Sequence, residues 1–156
     1  MSTVIAGYAR SPFTPAGRGA LARTRPDDIA ATVVNGLLQK LDIDPALVED
    51  IIVGTAFPEA EQGFNLARMI TFLTKLPETV PGVTINRFCG SSMQAIHDAA
   101  GRIAMGAGEA FIAGGIESMS RIPMTGFNPM PNPKLAEEAP EALISMGITA
   151  ENLAVK

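Results

Sequence analysis

Apolar residues gather in four short runs along the first 118 positions, at 3–9 (TVIAGYA), 48–54 (VEDIIVG), 83–88 (VTINRF) and 110–116 (AFIAGGI). Runs of this length bounded by turn residues predict strands, and their alternation with amphipathic stretches predicts an α/β domain with a mainly parallel sheet. Pro26 at a first helical position, with Asp27 and Asp28 in the first turn, marks the start of a helix whose apolar stripe is Ile29, Val33 and Leu37; Pro45 lies beyond its end. A second helix is expected over 64–73, stopped by the turn-rich LPETVPG. A third, over 91–106, carries Ala95, Ala99, Ala100, Gly101 and Ala104. Gly101 inside a helix costs ~1 kcal/mol relative to Ala, which tight packing against other elements would explain. Gly106 and Gly108 close this helix and hand over to the last run.

From 119 to 140 the pattern changes to Pro123, Pro129, Pro131, Pro133 and Pro140 among Met, Asn and Gly, an extended connection leaving the sheet. Thr149 as N-cap and Glu151 in the first turn predict a helix from about 150. A helix of two turns buries little apolar surface by itself, so the chain has the pattern of the front portion of something longer.

With 156 residues, 47% of them hydrophobic, the chain can bury one good core but not two. The formal net charge of −4 and the lack of any Lys/Arg run leave no electrostatic footprint for nucleic acid or an anionic membrane. The first residues show neither a charged leader nor an apolar span of membrane-crossing length, which predicts a cytoplasmic protein. One cysteine and one histidine exclude an internal disulfide and a Cys/His zinc site, so no metal is expected.

That single cysteine falls where the third run turns into the third helix. A thiol at a helix N-terminus faces unsatisfied backbone N–H groups and the positive end of the helix dipole, which favour thiolate. Gly90 after it permits an unusual backbone angle and a close approach of substrate, and the same N–H groups, that of Cys89 included, can stabilise an oxyanion on an attacked thioester. A buried, inert thiol is the alternative for a lone cysteine. His97 is the only histidine, but eight positions along a helix place it about 80° round and ~12 Å up the axis from Cys89, too far to act as its base. The Gly-Ala-Gly of 106–108 precedes a strand, the reverse of the order a dinucleotide loop requires.

NRFCGSSMQAIHDAA followed by AFIAGGIESMS resembles the active-site segment of the thiolases, and ISMGITAEN, EQGFNLARM and RSPF resemble further elements of that family in family order. The resemblance covers nearly the whole chain. It implies a thiolase-like fold, with an N-terminal half-domain core over 1–118, a parallel sheet flanked by helices, and the start of an inserted loop region over 119–156 that covers substrate and coenzyme A. It also implies that Cys89 attacks a 3-ketoacyl-CoA, releases acetyl-CoA and passes the remaining acyl group to a second CoA, or runs the reverse condensation. Met146 matches a methionine that walls the acyl-thioester pocket, and Ser145 stands where many members have His. Asn86 and Glu117 also match, as structural polar groups.

Further implications are a place in fatty-acid β-oxidation, a homodimer or homotetramer joined through the strand before the nucleophile, acyl-CoA and CoA as partners, and no cofactor beyond that CoA substrate. The family's proton-moving groups, a His in Gly-His-Pro and a second Cys in Cys-x-Gly-Gly-Gly, belong to a C-terminal half and have no counterpart in this sequence. They matter because bringing an ordinary thiol from pKa ~8.5 to ~7 takes about 2 kcal/mol, whereas a helix N-terminus typically gives ~0.3–1 kcal/mol. Residues 1–156 alone are therefore expected to be inactive. Two other readings fit part of the pattern: a decarboxylating condensing enzyme of the same superfamily, and a non-catalytic binding or assembly module.

Overall fold

The computed structural model describes residues 3–156, so the first two positions of the expected 1–118 core lie outside the described residues. Three parallel strands, β1 (Asp50–Gly54), β2 (Gly82–Ile85) and β3 (Phe111–Gly115), form an open sheet in the order β2-β1-β3. All five residues of β1 are buried, which follows from its unbroken Ile51-Ile52-Val53 run: a central strand covered on both faces has no use for alternation. Ile51 pairs with Gly82 on one side and Ile112 on the other.

Helices α1 (Pro26–Leu41) and α2 (Leu66–Phe72) cover one face, where Val34, Leu38, Leu66, Ala67 and Ile70 pack with Ile51 and Val53. Helix α3 (Ser91–Ala104) covers the other, where Ala95 and Ala99 pack on Ile52. Asp50 and Arg102 form an ion pair that fixes the last turn of α3 to the start of β1. Near the head of α1, Glu61 pairs with both Arg25 and Arg121, and the Arg121 hydrogen bond holds its carboxyl below the usual carboxylate range.

Several expectations need correction. Residues 3–9 form no strand and pair with neither outer edge of the sheet, and Val4, Ile5 and Tyr8 stay exposed. That segment is held instead by the end of α1, where Lys40 Nζ donates to the Tyr8 carbonyl at 3.1 Å and lies 4.6 Å from the centre of its ring. The buried stripe of α1 is Ala31, Val34 and Leu38, while Ile29, Val33 and Leu37 are half-buried along an open groove. Helix α2 begins two residues later than 64, because Phe64 and Asn65 take left-handed angles (φ 56 and 57).

Gly101 has no packing role among the described residues, since a Cβ there would meet nothing within 4 Å. The close approaches lie under the other end of α3. A fourth helix, α4 (Pro133–Glu138), and a fifth, α5 (Met146–Ala154), follow in the proline-rich tail. Helix α5 starts earlier than 150 because Ser145, extended at ψ 155, caps it by accepting from the Ile148 N–H at 3.4 Å. No residue after Gly126 is buried, so the interior belongs to the segment between Pro26 and that glycine.

Candidate active site

Cys89 sits on the four-residue link from the end of β2 to the N-cap of α3 and is exposed. The link is a tight turn stitched from both ends. Asn86 Oδ1 accepts from the Phe88 N–H at 2.8 Å, and Ser91 Oγ accepts from the Arg87 N–H at 2.8 Å while donating to the Phe88 carbonyl at 2.6 Å. The Gly90 and Ser91 amides return to the Arg87 and Phe88 carbonyls at 3.0 and 3.1 Å.

The unusual backbone angle is at Phe88, not at Gly90. Phe88 has φ 46, whereas Gly90 has φ −88 and ψ 3, open to any residue, and a Cβ on Gly90 would come no nearer than 3.4 Å to a neighbour. A left-handed angle on a bulky residue costs ~1–2 kcal/mol, so its surroundings must impose it. Here the Asn86 and Ser91 hydrogen bonds do so, together with the Phe57 ring 6.2 Å from that of Phe88. The result turns the chain at the residue before the thiol.

Two glycines let the start of α3 press on the ends of the strands. A Cβ on Gly54 would lie 2.6 Å from the Ser91 side chain and the Ser92 nitrogen, and one on Gly115 would overlap Ser92 Oγ. Among the described residues the N–H groups of Cys89, Ser92 and Met93 donate to no acceptor. Three unsatisfied donors at the positive end of a fourteen-residue helix are suited to a developing negative charge beside the Cys89 sulfur.

Glu117 and Asn86, expected as structural polar groups, are both exposed, and each holds backbone. Glu117 Oε2 accepts from the Ala56 N–H at 2.6 Å and Asn86 Nδ2 donates to the Ala56 carbonyl at 2.9 Å. Gln62, fully buried, was not singled out by sequence; a polar residue ending the single 3₁₀ turn Ala60–Gln62 carries no periodic signal of its burial. His97 is exposed on α3 and has no hydrogen bond among the described residues. No group of His, Cys, Asp or Glu among the described residues is arranged to hold a metal ion.

Met146, at the head of α5, and Cys89 line the same open groove of about 2020 Å³, whose walls include Ile96 and Ile103 of α3, Glu117 and Met119. The groove is mostly apolar and also receives the exposed 3–9 segment.

An open parallel sheet that delivers an exposed cysteine to the N-terminus of a central helix defines an α/β domain built around a nucleophile. The family description "Thiolase, N-terminal domain" matches residues 3–156, and the chain belongs to the thiolase family. It is 49% identical over 153 residues to a 3-ketoacyl-CoA thiolase of Bacillus subtilis, covering 98% of this chain and 39% of that protein. A 3-ketoacyl-CoA thiolase of Pseudoalteromonas translucida is 44% identical over 97% of this chain and 39% of its own length. Among solved structures, the acetyl-CoA acetyltransferase of Bacillus anthracis superposes with a TM-score of 0.70 at 37% identity, covering 75% of this chain and 29% of that one. The chain thus spans about two-fifths of the length of the curated relatives it matches.

Proposed function

We propose that this chain supplies the nucleophile of a thiolase that cleaves 3-ketoacyl-CoA with CoA. Cys89 Sγ attacks the 3-keto carbon as thiolate, its proton passing to a base. The C2–C3 bond breaks, C2 takes a proton, acetyl-CoA departs, and the shortened acyl group remains on sulfur. The thiol of a second CoA gives up its proton and attacks that thioester, leaving a shortened acyl-CoA and Cys89 restored. The condensing direction runs the same bonds backwards.

The observation that carries this reading is the placement of an exposed Cys89 beside three unused N–H groups on an apolar groove. Gly90 contributes an unencumbered backbone next to the oxyanion site, and Met146 walls the acyl thioester across the groove. Residues 119–156 begin the region that lies over substrate and CoA, and the base and acid come from sequence corresponding to the remaining length of the relatives. On this reading the protein works in the cytoplasm, in fatty-acid β-oxidation, as a homodimer or homotetramer, with no cofactor besides its CoA substrate.

Brief incubation of the full-length protein with a 3-ketoacyl-CoA, followed by quench and peptide mass mapping, tests it. One acyl group on the Cys89 peptide is expected, with thiolysis falling by at least ~10³-fold in Cys89→Ala. Acylation elsewhere, or turnover surviving that substitution, refutes it.

A further inference from the structure

Gln62 lies 27 residues before the nucleophile and is completely buried, yet its amide is at the centre of a chain of hydrogen bonds that ends at Phe88, the residue before Cys89. The two hydrogens on its Nε2 are shared among three acceptors, Glu117 Oε1 at 2.6 Å, the Phe57 carbonyl at 2.9 Å and Thr55 Oγ1 at 3.1 Å. Its Oε1 accepts from the Ser118 N–H at 2.7 Å. The second Glu117 oxygen accepts from the Ala56 N–H, and the Ala56 carbonyl accepts from Asn86, whose Oδ1 in turn accepts from the Phe88 N–H. Residue 56 is therefore gripped on both sides, by the Gln62–Glu117 pair through its N–H and by the nucleophile turn through its carbonyl.

We propose that Gln62 and Glu117 are positioning residues for Cys89: they fix residue 56, and residue 56 through Asn86 sets the left-handed angle of Phe88 that aims the thiol. This rests on the thiolase reading above and adds to it a pair made of one buried amide and one groove-facing carboxylate.

The local backbone agrees. Ala60, Phe64 and Asn65, around Gln62, all have left-handed angles (φ 47, 56 and 57), so this loop holds its shape against local preference. The Gln62 side chain is what ties it down: one amide meets four polar partners at the ends of β1 and β3 and in the loop after β1. A conformation imposed this way is transmitted to residue 56 as a fixed position. Glu117 faces the groove, so its carboxylate connects this buried amide to the wall on which Cys89 opens.

The pair has a chemical direction that can be inverted. Glu117→Gln leaves an amide facing an amide: whichever way it turns, an NH₂ group confronts either the Gln62 NH₂ or the Ala56 N–H. The double substitution Gln62→Glu with Glu117→Gln restores complementarity between the two side chains and keeps an acceptor for Ala56, but withdraws the donor from the Phe57 carbonyl.

In the full-length protein, the rate of Cys89 alkylation by iodoacetamide across pH, the kcat and KM of thiolysis, and the melting temperature are compared for wild type, E117Q, the double variant and a core control, Leu38→Ala. Expected for E117Q is a fall of about tenfold or more in kcat with KM nearly unchanged, a displaced pH profile of alkylation, and a partial recovery of both in the double variant. Unchanged alkylation in E117Q, or an equal change in Leu38→Ala, overturns the proposal and leaves the pair merely structural. Wild-type protein without thiolysis refutes the functional reading alone, because the alkylation profiles still decide the positioning. If E117Q fails to fold, Asn86→Asp takes its place: it removes the donor to the Ala56 carbonyl and keeps the acceptor for Phe88, and an unaltered profile there is equally fatal.

Discussion

The two faces of the sheet are built for different work. On the α1/α2 face, ten buried residues form one continuous core; on the α3 face, the buried cluster among the described residues is Ile52, Ala95 and Ala99. The first face supplies most of the apolar burial and hence most of the stability. The second is thin because α3 must also keep its N-terminus open to the groove. Separating the two lets the nucleophile turn carry strain at Phe88 while the bulk of the fold stays relaxed.

The comparison breaks most visibly at Ile70, which is wholly buried in the larger core. Ile70→Ala is expected to cost ~2–5 kcal/mol in urea unfolding, with Cys89 alkylation in the folded protein unchanged; slower alkylation would mean that the faces are coupled. On the other face, Gly115→Ala sets a Cβ against Ser92 and should cost ~1–3 kcal/mol. It should also slow Cys89 alkylation, since the start of α3 must lift, and a stability loss without that slowing would detach the thiol's aim from the helix seat.

Gly101→Ala goes the other way. With open space around the new methyl group, it should stabilise the fold by up to ~1 kcal/mol, and a loss in the same assay would show another surface pressing on that side of α3. The smallest effect concerns Glu61. Its folded pKa lies below the ordinary carboxylate value, so its stabilisation is complete above about pH 4.3 and is lost as pH falls through the folded value. Urea midpoints between pH 7 and pH 3 should therefore drop more for wild type than for Glu61→Gln.

Much of this was legible in the sequence. Pro26 with its two aspartates announced α1, the glycines at 106 and 108 announced the end of α3, and the strand-to-helix step announced Cys89. What escaped was set by distant partners. The 3–9 run has strand composition, but its Tyr8 carbonyl is taken by Lys40 of α1 and not by a sheet edge, a contact that periodicity does not reveal. Gly90 was the natural carrier for an unusual angle, yet side chains at 86 and 91 impose it on Phe88, overriding the preference of a bulky residue. Gly101 was given the close packing that belongs to Gly54 and Gly115, because a glycine inside a helix stands out while one ending a strand does not. Gln62 gave no signal because burial of its amide depends on Glu117 and Ser118, more than fifty residues away in sequence.

The central position of β1 also has a meaning in time. Its partner residues arrive late: Ile51 waits for Gly82, and Asp50 for Phe111, 61 positions further on. At ~5–20 residues per second, synthesis leaves the most water-averse strand of the chain without its second neighbour for roughly 3–12 s. The nascent chain must shelter Ile51-Ile52-Val53 throughout that interval, and α1, completed before β1 emerges, is the one apolar surface already made to receive it.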